Sequence, residues 1–166
     1  EWVAVLEADG RAWTAITFIR QRLETAPPVL AEWLGQEGSA PPAMIDEVRA
    51  VFAEQPWILA AIRRLSIMLM NHGQTPTELT ESVELTERTL EAEPENPFAY
   101  RALALGYVKL DRLNDAVRAL ENSIRIEPDQ VVFRYQLAEL LNGMGRIAES
   151  EEQIRRAREL EQASER

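Results

Sequence analysis

The chain of 166 residues contains no cysteine and a single histidine, His72. Disulfides and thiolate metal sites are excluded, and without a second His neither a zinc site nor a Ser-His-Asp arrangement can be assembled from this chain alone. Positive charge is also scarce. Against 28 Asp and Glu stand 18 Lys and Arg, a net charge of −10, which repels phosphate backbones and anionic lipid headgroups at long range. No apolar run reaches the roughly 20 residues of a membrane span. The most apolar stretch, Trp57 to Met70, is shorter and is interrupted by Arg63 and Arg64. Glu1-Trp2-Val3-Ala4 has neither the basic start nor the apolar run of a signal peptide. The absence of Cys leaves cytoplasm and periplasm open, with cytoplasm favoured. Gly35-Gln36-Glu37-Gly38 is followed by no Lys and preceded by no strand pattern, so it does not cradle phosphate. These absences point to a non-catalytic chain with no cofactor and no metal, and make nucleic acid and membrane insertion poor candidates for its partner.

Hydrophobic residues make up 46% of the chain, enough for a continuous core without metals or disulfides. No segment alternates with period two over a useful length, whereas apolar residues recur at helical spacing, so the expected fold class is all-α with no sheet. Helices are expected near 1–25 (with a break at Gly10), 29–35, 42–54, 57–72, 77–92, 97–110, 113–126, 131–144 and 147–163.

Pro94 and Pro128 stand 34 residues apart in matching contexts, Glu93-Pro94 and Glu127-Pro128. Ahead of Pro128 lie Tyr100, Leu103, Tyr107, Ala116, Leu120 and Ser123. A shift of 34 toward the C-terminus puts Arg134, Leu137, Leu141, Ser150, Ile154 and Ala157 in those slots, with Gln162 in place of the proline. The opposite shift gives Ser66, Leu69, Gly73, Ser82, Thr86 and Thr89, closed by Pro94. Antiparallel helices approach closely only where one side chain is small, so Ala116, Ser123, Ser150 and Ala157 are expected at helix contacts. The prolines end second helices, because proline donates no N–H and disfavours helix at the preceding residue. Asn96 before Pro97 reads as an N-cap, and Asp129 is expected to cap the next unit in the same way.

Residues 63 to 164 resemble the tetratricopeptide repeat family as three consecutive units, 63–96, 97–130 and 131–164, most closely from Tyr100 to Pro128. The resemblance implies a right-handed superhelical stack of antiparallel helix pairs. Residues 1–62 form a divergent N-terminal region. There Pro27 follows Ala15 and Trp2 at family spacing, although Arg22 occupies a slot where the family has a small residue. A further divergent unit fits 28 to 56 and includes a Gly- and Pro-rich loop near 35–42.

Other polar features have plain readings. His72 abuts Gly73 at a helix end, where it faces the last carbonyls. Glu78, Glu81, Glu84, Glu87 and Glu91 recur at three- and four-residue spacing. They read as a solvated helix face in preference to a cation or basic-peptide site, because a straight helix does not converge ligands. Glu151 with Arg155 and Glu152 with Arg156 are spaced for i,i+4 pairs. Residues 1–96 carry 7 basic and 16 acidic groups, and residues 97–166 carry 11 and 12, so the acidity belongs to the front of the chain.

By the family resemblance, the first helix of each pair lines a concave groove. Carried onto this sequence, the lining is Arg64, Ile67 and Asn71; Phe98, Arg101, Leu105 and Lys109; and Val132, Tyr135, Glu139 and Asn142. Leu105 and Val132 fit a core position equally well. Such a lining suits an extended peptide or amphipathic helix of a protein partner. Two cations, Arg101 and Lys109, suggest that the bound segment carries an acidic side chain or a C-terminal carboxylate. One subfamily binds chaperone C-termini through a carboxylate clamp, but the corresponding positions here are Ile67, Asn71, Ala102, Val132 and Gln136, of which only Asn71 fits. The leading reading is a protein-interaction scaffold. The alternatives are an accessory domain of a larger enzyme such as a transferase, and a helical-repeat RNA binder, which the acidic charge disfavours. Both ends of the array read as open, with Leu140, Leu141 and Met144 short of cover, so self-association through an end is a further expectation.

Overall fold

The computed structural model describes residues 12–35 and 41–164, and among these every regular element is an α-helix. The helices are α1 (Ala12–Leu23), α2 (Pro28–Gly35), α3 (Pro42–Glu54), α4 (Pro56–His72), α5 (Pro76–Ala92), α6 (Pro97–Lys109), α7 (Leu113–Ile126), α8 (Val131–Gly143) and α9 (Ile147–Ser164). The expected helix over residues 1–11 and most of the expected loop, residues 36–40, lie outside the described residues. The chain divides into two compact units, residues 1–94 and 95–166.

Proline starts most of these helices. Pro42, Pro56, Pro76 and Pro97 occupy the first helical turn, where a missing N–H costs nothing and a fixed φ favours helix. Asn96 caps α6 by accepting from the Ala99 N–H at 3.1 Å. At α5 the capping is reciprocal: Thr75 accepts from the Glu78 N–H, while the Glu78 carboxylate accepts from the Thr75 and Gln74 N–H groups at 3.0 and 2.8 Å. The expectation for Asp129 fails. The N-cap of α8 is Gln130, and no side chain caps it.

In the C-terminal unit, α6 pairs with α7, α7 packs on α8, and α8 pairs with α9. Ala116, Ser123, Ser150 and Ala157 are all buried, as their small size requires. The serines also bond to the paired helix. Ser123 Oγ donates to the Pro97 carbonyl at 2.9 Å and Ser150 Oγ to the Ala138 carbonyl at 2.7 Å. Each pair turns through the same device. After α6, the Arg112 N–H donates to Tyr107 O and the Asp111 N–H to Val108 O; after α8, the Arg146 N–H donates to Leu141 O and the Gly145 N–H to Asn142 O. This closure needs a left-handed residue, which is Gly145 (φ 76°) in one turn and Asp111 (φ 58°) in the other. Leu141, expected to lack cover, is buried. On α9, Glu152 bonds to both Arg155 and Arg156, so Arg155 pairs with Glu152 and the expected Glu151 pairing is replaced.

The N-terminal unit is built differently. α1 packs directly on α4, and α4 pairs with α5. The stretch 28–56, expected as a further divergent unit, supplies the paired helices α2 and α3, and α3 rests on α4 and α5. This hairpin is anchored at the C-terminal end of α5. The fully buried Trp33 packs edge-on against Phe52, and its Nε1–H donates to Glu91 at 3.0 Å. Arg49 Nε donates to the Ala92 carbonyl at 2.9 Å, satisfying an acceptor the helix end leaves open. Between α4 and α5, Ser66, Ser82 and Thr86 form a buried hydroxyl network, with Ser82 Oγ donating to Ser66 O at 2.8 Å and Ser66 Oγ 2.5 Å from Thr86 Oγ1. Gly73 leaves the end of α4 so tightly that a Cβ there would stand 2.4 Å from the Leu69 carbonyl oxygen.

The acidic stripe of α5 corrects the reading of a solvated face. Glu78 closes the capping box, Glu81 meets Arg20 of α1, and Glu91 holds Trp33 and Arg88. Glu78, Glu81 and Glu91 thus tie α5 to itself or to its neighbours.

Candidate partner-binding surface

In the C-terminal unit the large exposed apolar side chains sit on the first helix of each pair. Phe98 is 55% exposed and Leu105 48% on α6; Val132 is 50% and Tyr135 36% on α8. Val108 of α6 joins them, and the second helices α7 and α9 expose only Ile147. Val117, Ala119 and Leu120 of α7 are instead buried, because that helix has neighbours on both sides.

Phe98 has one face fixed and the other open. Its ring lies edge-on to the buried Phe133, with centroids 5.7 Å apart and planes at 73°, a favoured aromatic geometry. Arg101, one turn along α6, donates from Nε to Gln136 Oε1 of α8 at 2.8 Å. That bond holds the guanidinium at the surface without neutralising it, since its acceptor is an uncharged amide. Lys109 is exposed at the last residue of α6, where the helix dipole favours a cation. Leu105 and Val132, which fitted core and groove equally well in the sequence, are both exposed.

Tyr135, Glu139 and Asn142 are placed together in a cleft of about 360 Å³ between α8 and α9, with Ile147 and Ile154 on its other side. Tyr135 donates its hydroxyl to Glu161 at 3.0 Å. That hydrogen bond raises the phenol above its usual range, with burial and the charge of Glu161 adding to the effect. In the N-terminal unit the corresponding face of α4 carries Arg64, Ile67 and Asn71; Ile67 and Asn71 are exposed and Arg64 is half-buried.

Three partners on this surface were not anticipated from the sequence: Phe133 behind Phe98, Gln136 beneath Arg101, and Glu161 at Tyr135. Phe98 to Phe133 and Arg101 to Gln136 share one offset, 35 residues. One repeat plus one residue is therefore the spacing of both contacts between these consecutive first helices.

Residues 107–166 match the tetratricopeptide repeat family. They are tetratricopeptide repeat sequence. The fold extends this likeness over the described chain. The structure of MamA, residues 41 to the end, from Desulfovibrio magneticus RS-1 is 16% identical, covers 97% of this chain and 92% of its own, and superposes with a TM-score of 0.59. A double mutant of RS-1 MamA gives 15%, 98%, 92% and 0.58. A thermophilic tetratricopeptide repeat protein of Thermus thermophilus gives 20%, 96%, 88% and 0.56. At these identities the likeness is one of fold. No curated protein matches the chain. Among the described residues no helix is long and apolar enough to cross a membrane.

Proposed function

We propose that this chain is a protein-interaction scaffold that binds a segment of a partner protein along the exposed face of α6 and α8. The tetratricopeptide repeat fold supports the general role. The observation that carries the particular surface is the segregation of exposed apolar side chains onto first helices. Phe98, Leu105 and Val132 lie open to water, while the second helix α7 buries its apolar residues. Scattered exposed apolar residues need no explanation, but a run of them on two neighbouring helices marks an interaction site.

Arg101 and Lys109 set the chemistry of the partner. Eight residues apart on one helix, they are separated by about 12 Å along its axis at a rise of about 1.5 Å per residue. A bound segment that lays apolar side chains on Phe98 and Val132 and offers an acidic side chain or C-terminal carboxylate to Arg101 satisfies both features. The cleft holding Tyr135, Glu139 and Asn142, and the α4 face holding Arg64 and Asn71, are further contact surfaces on this reading.

A photo-crosslinking amino acid at position 98 or 132 tests it, with the exposed Arg118 of α7 as the control position. The reading expects the same partner polypeptide to be trapped from positions 98 and 132 and not from 118. Equal trapping from all three, or none from 98 and 132, contradicts it.

A further inference from the structure

The N-terminal unit holds a second opening that shares no residue with the α4 face described above. α1, α2, α4 and α5 enclose a cavity of about 460 Å³. Leu30, Ile58 and Ile62 form its floor, each no more than 1% exposed. Leu23 and Leu34, half-buried, form the walls nearer to solvent. The volume is within the roughly 300–1,000 Å³ of ligand-binding pockets, and an apolar interior with a few polar groups at the mouth is their usual composition.

The mouth carries charge from either side. Arg20 comes from α1 and Glu24 from the turn that follows it, and Glu81, Glu84 and Arg88 come from α5. Both cations are engaged: Arg20 donates to Glu81 at 2.5 Å, and Arg88 donates to Glu91 at 3.1 Å. Glu24 and Glu84 are exposed, and their carboxylates have no hydrogen bond or ion pair among the described residues. An apolar interior thus opens between two carboxylates that the fold leaves uncompensated, on a half of the chain with 16 acidic against 7 basic groups. A carboxylate in water needs no partner, but bringing an apolar ligand to this mouth strips water from both. A ligand that brings its own cations offsets that cost most directly.

We propose that this cavity receives a large apolar side chain from a basic amphipathic helix of another protein, whose flanking Lys or Arg residues bind Glu24 and Glu84. The two carboxylates stand at the same mouth, Glu24 in the turn after α1 and Glu84 on α5, so a helix with cations one turn before and one turn after its apolar anchor reaches both. The acidic half attracts such a segment before contact and the cavity fixes its register. The inserted hairpin is essential to the site, because α2 supplies Leu30 and Leu34.

The probe is a dye-labelled synthetic amphipathic helix of about 18 residues, long enough to be helical in water, with a central Trp flanked one turn away on each side by Lys. A matched peptide carrying Glu in place of Lys is the control, and binding to the full chain is followed by fluorescence anisotropy. The Lys peptide is expected to saturate, to be weakened at least tenfold by Glu24→Lys with Glu84→Lys, and to be lost when Ala31→Trp fills the opening. Arg101→Glu with Lys109→Glu is expected to leave its affinity unchanged, which separates this site from the α6 and α8 surface. Circular dichroism melts confirm folding; should Ala31→Trp not fold, the exposed Glu24 and Glu84 variants carry the test. Absent saturation, equal binding of the Glu peptide, or an affinity unmoved by the two charge reversals overturns the proposal. So does binding of a neutral apolar dye in the cavity without the Lys peptide, which assigns it to a small ligand. Concentration-dependent association abolished by Leu34→Glu also overturns it, by assigning the cavity to a second copy of the chain.

Discussion

Phe98 stands edge-on to Phe133, 5.7 Å between ring centres, with one partner ring exposed at the surface and the other buried beneath it. The pair joins the first helices of two consecutive repeats, so the surface proposed to face a partner is built on the packing that holds the repeats together. Substitutions at the two rings should separate accordingly. Phe133→Ala removes buried volume and should cost about 3–5 kcal/mol of stability; Phe98→Ala should cost far less stability and act on binding. Chemical denaturation of the two variants checks this, and equal losses would contradict it.

The Ala116 slot tests the repeat register. Ala116 is fully buried at the α6 and α7 contact, and Ala116→Leu should destabilise by about 1–3 kcal/mol through overpacking. An unchanged unfolding midpoint would place that contact elsewhere.

The inter-helix turns offer a stabilising change. Asp111 holds φ at 58° in the turn where the next repeat has Gly145. Left-handed backbone costs a residue with a Cβ about 1–2 kcal/mol, less for Asp, whose side chain bonds locally. Asp111→Gly should therefore be neutral to mildly stabilising by up to about 1 kcal/mol, whereas Gly145→Val should destabilise; thermal melts of both variants decide.

Arg134 occupies the slot where the preceding repeat has Tyr100. It is buried, donates to the Pro128 carbonyl at 3.0 Å, and leaves Nε without a partner. Burial pushes its pKa below the usual guanidinium range, and the nearby charge of Arg156 adds to the effect. A buried unsatisfied donor costs about 1–3 kcal/mol, so Arg134→Tyr should raise stability by about 1 kcal/mol. A lower unfolding midpoint for Arg134→Tyr would mean that the guanidinium is better accommodated than its geometry indicates.

Acid should loosen the chain at defined carboxylates. Backbone N–H groups of Gln74 and then Thr75 hold Glu78 below the usual carboxylate range. Arg118 and Arg112 do so for Asp115, Arg146 for Glu149, and Arg156 and Arg155 for Glu152. Each folded pKa is depressed, so its contribution is complete above the unfolded value of about 4 and is lost as pH falls through the folded value. Thermal midpoints should fall between about pH 5 and pH 3. Glu78→Gln should melt lower than the parent at neutral pH, and the gap should narrow on the acid side. A gap that stays constant with pH would deny Glu78 its role.

The period of 34, the small-residue slots and the Pro-led helix starts were legible in the sequence, because helix packing and termination leave residue types at fixed intervals. Capping was legible at Asn96 and misread at Asp129, since a capping residue type signals a helix start only to within a residue or two. The acidic stripe of α5 was misread for a different reason. Glu81 and Glu91 meet Arg20 and Trp33 across 61 and 58 residues, and local spacing carries no trace of such partners. The direct packing of α1 on α4 was hidden in the same way, because a hairpin inserted between two stacked helices changes their separation along the chain without altering either helix's own pattern.

If α6 and α8 present the partner-binding face, the dissociation constant of the polypeptide trapped from position 98 must differ between the parent chain and Arg101→Glu with Lys109→Glu. Exposed substitutions usually change stability by less than about 0.5 kcal/mol, so the variant should unfold at nearly the parent midpoint. Its affinity should fall at least tenfold, about 1.4 kcal/mol. An intact fold with an unchanged dissociation constant would place the partner on another surface.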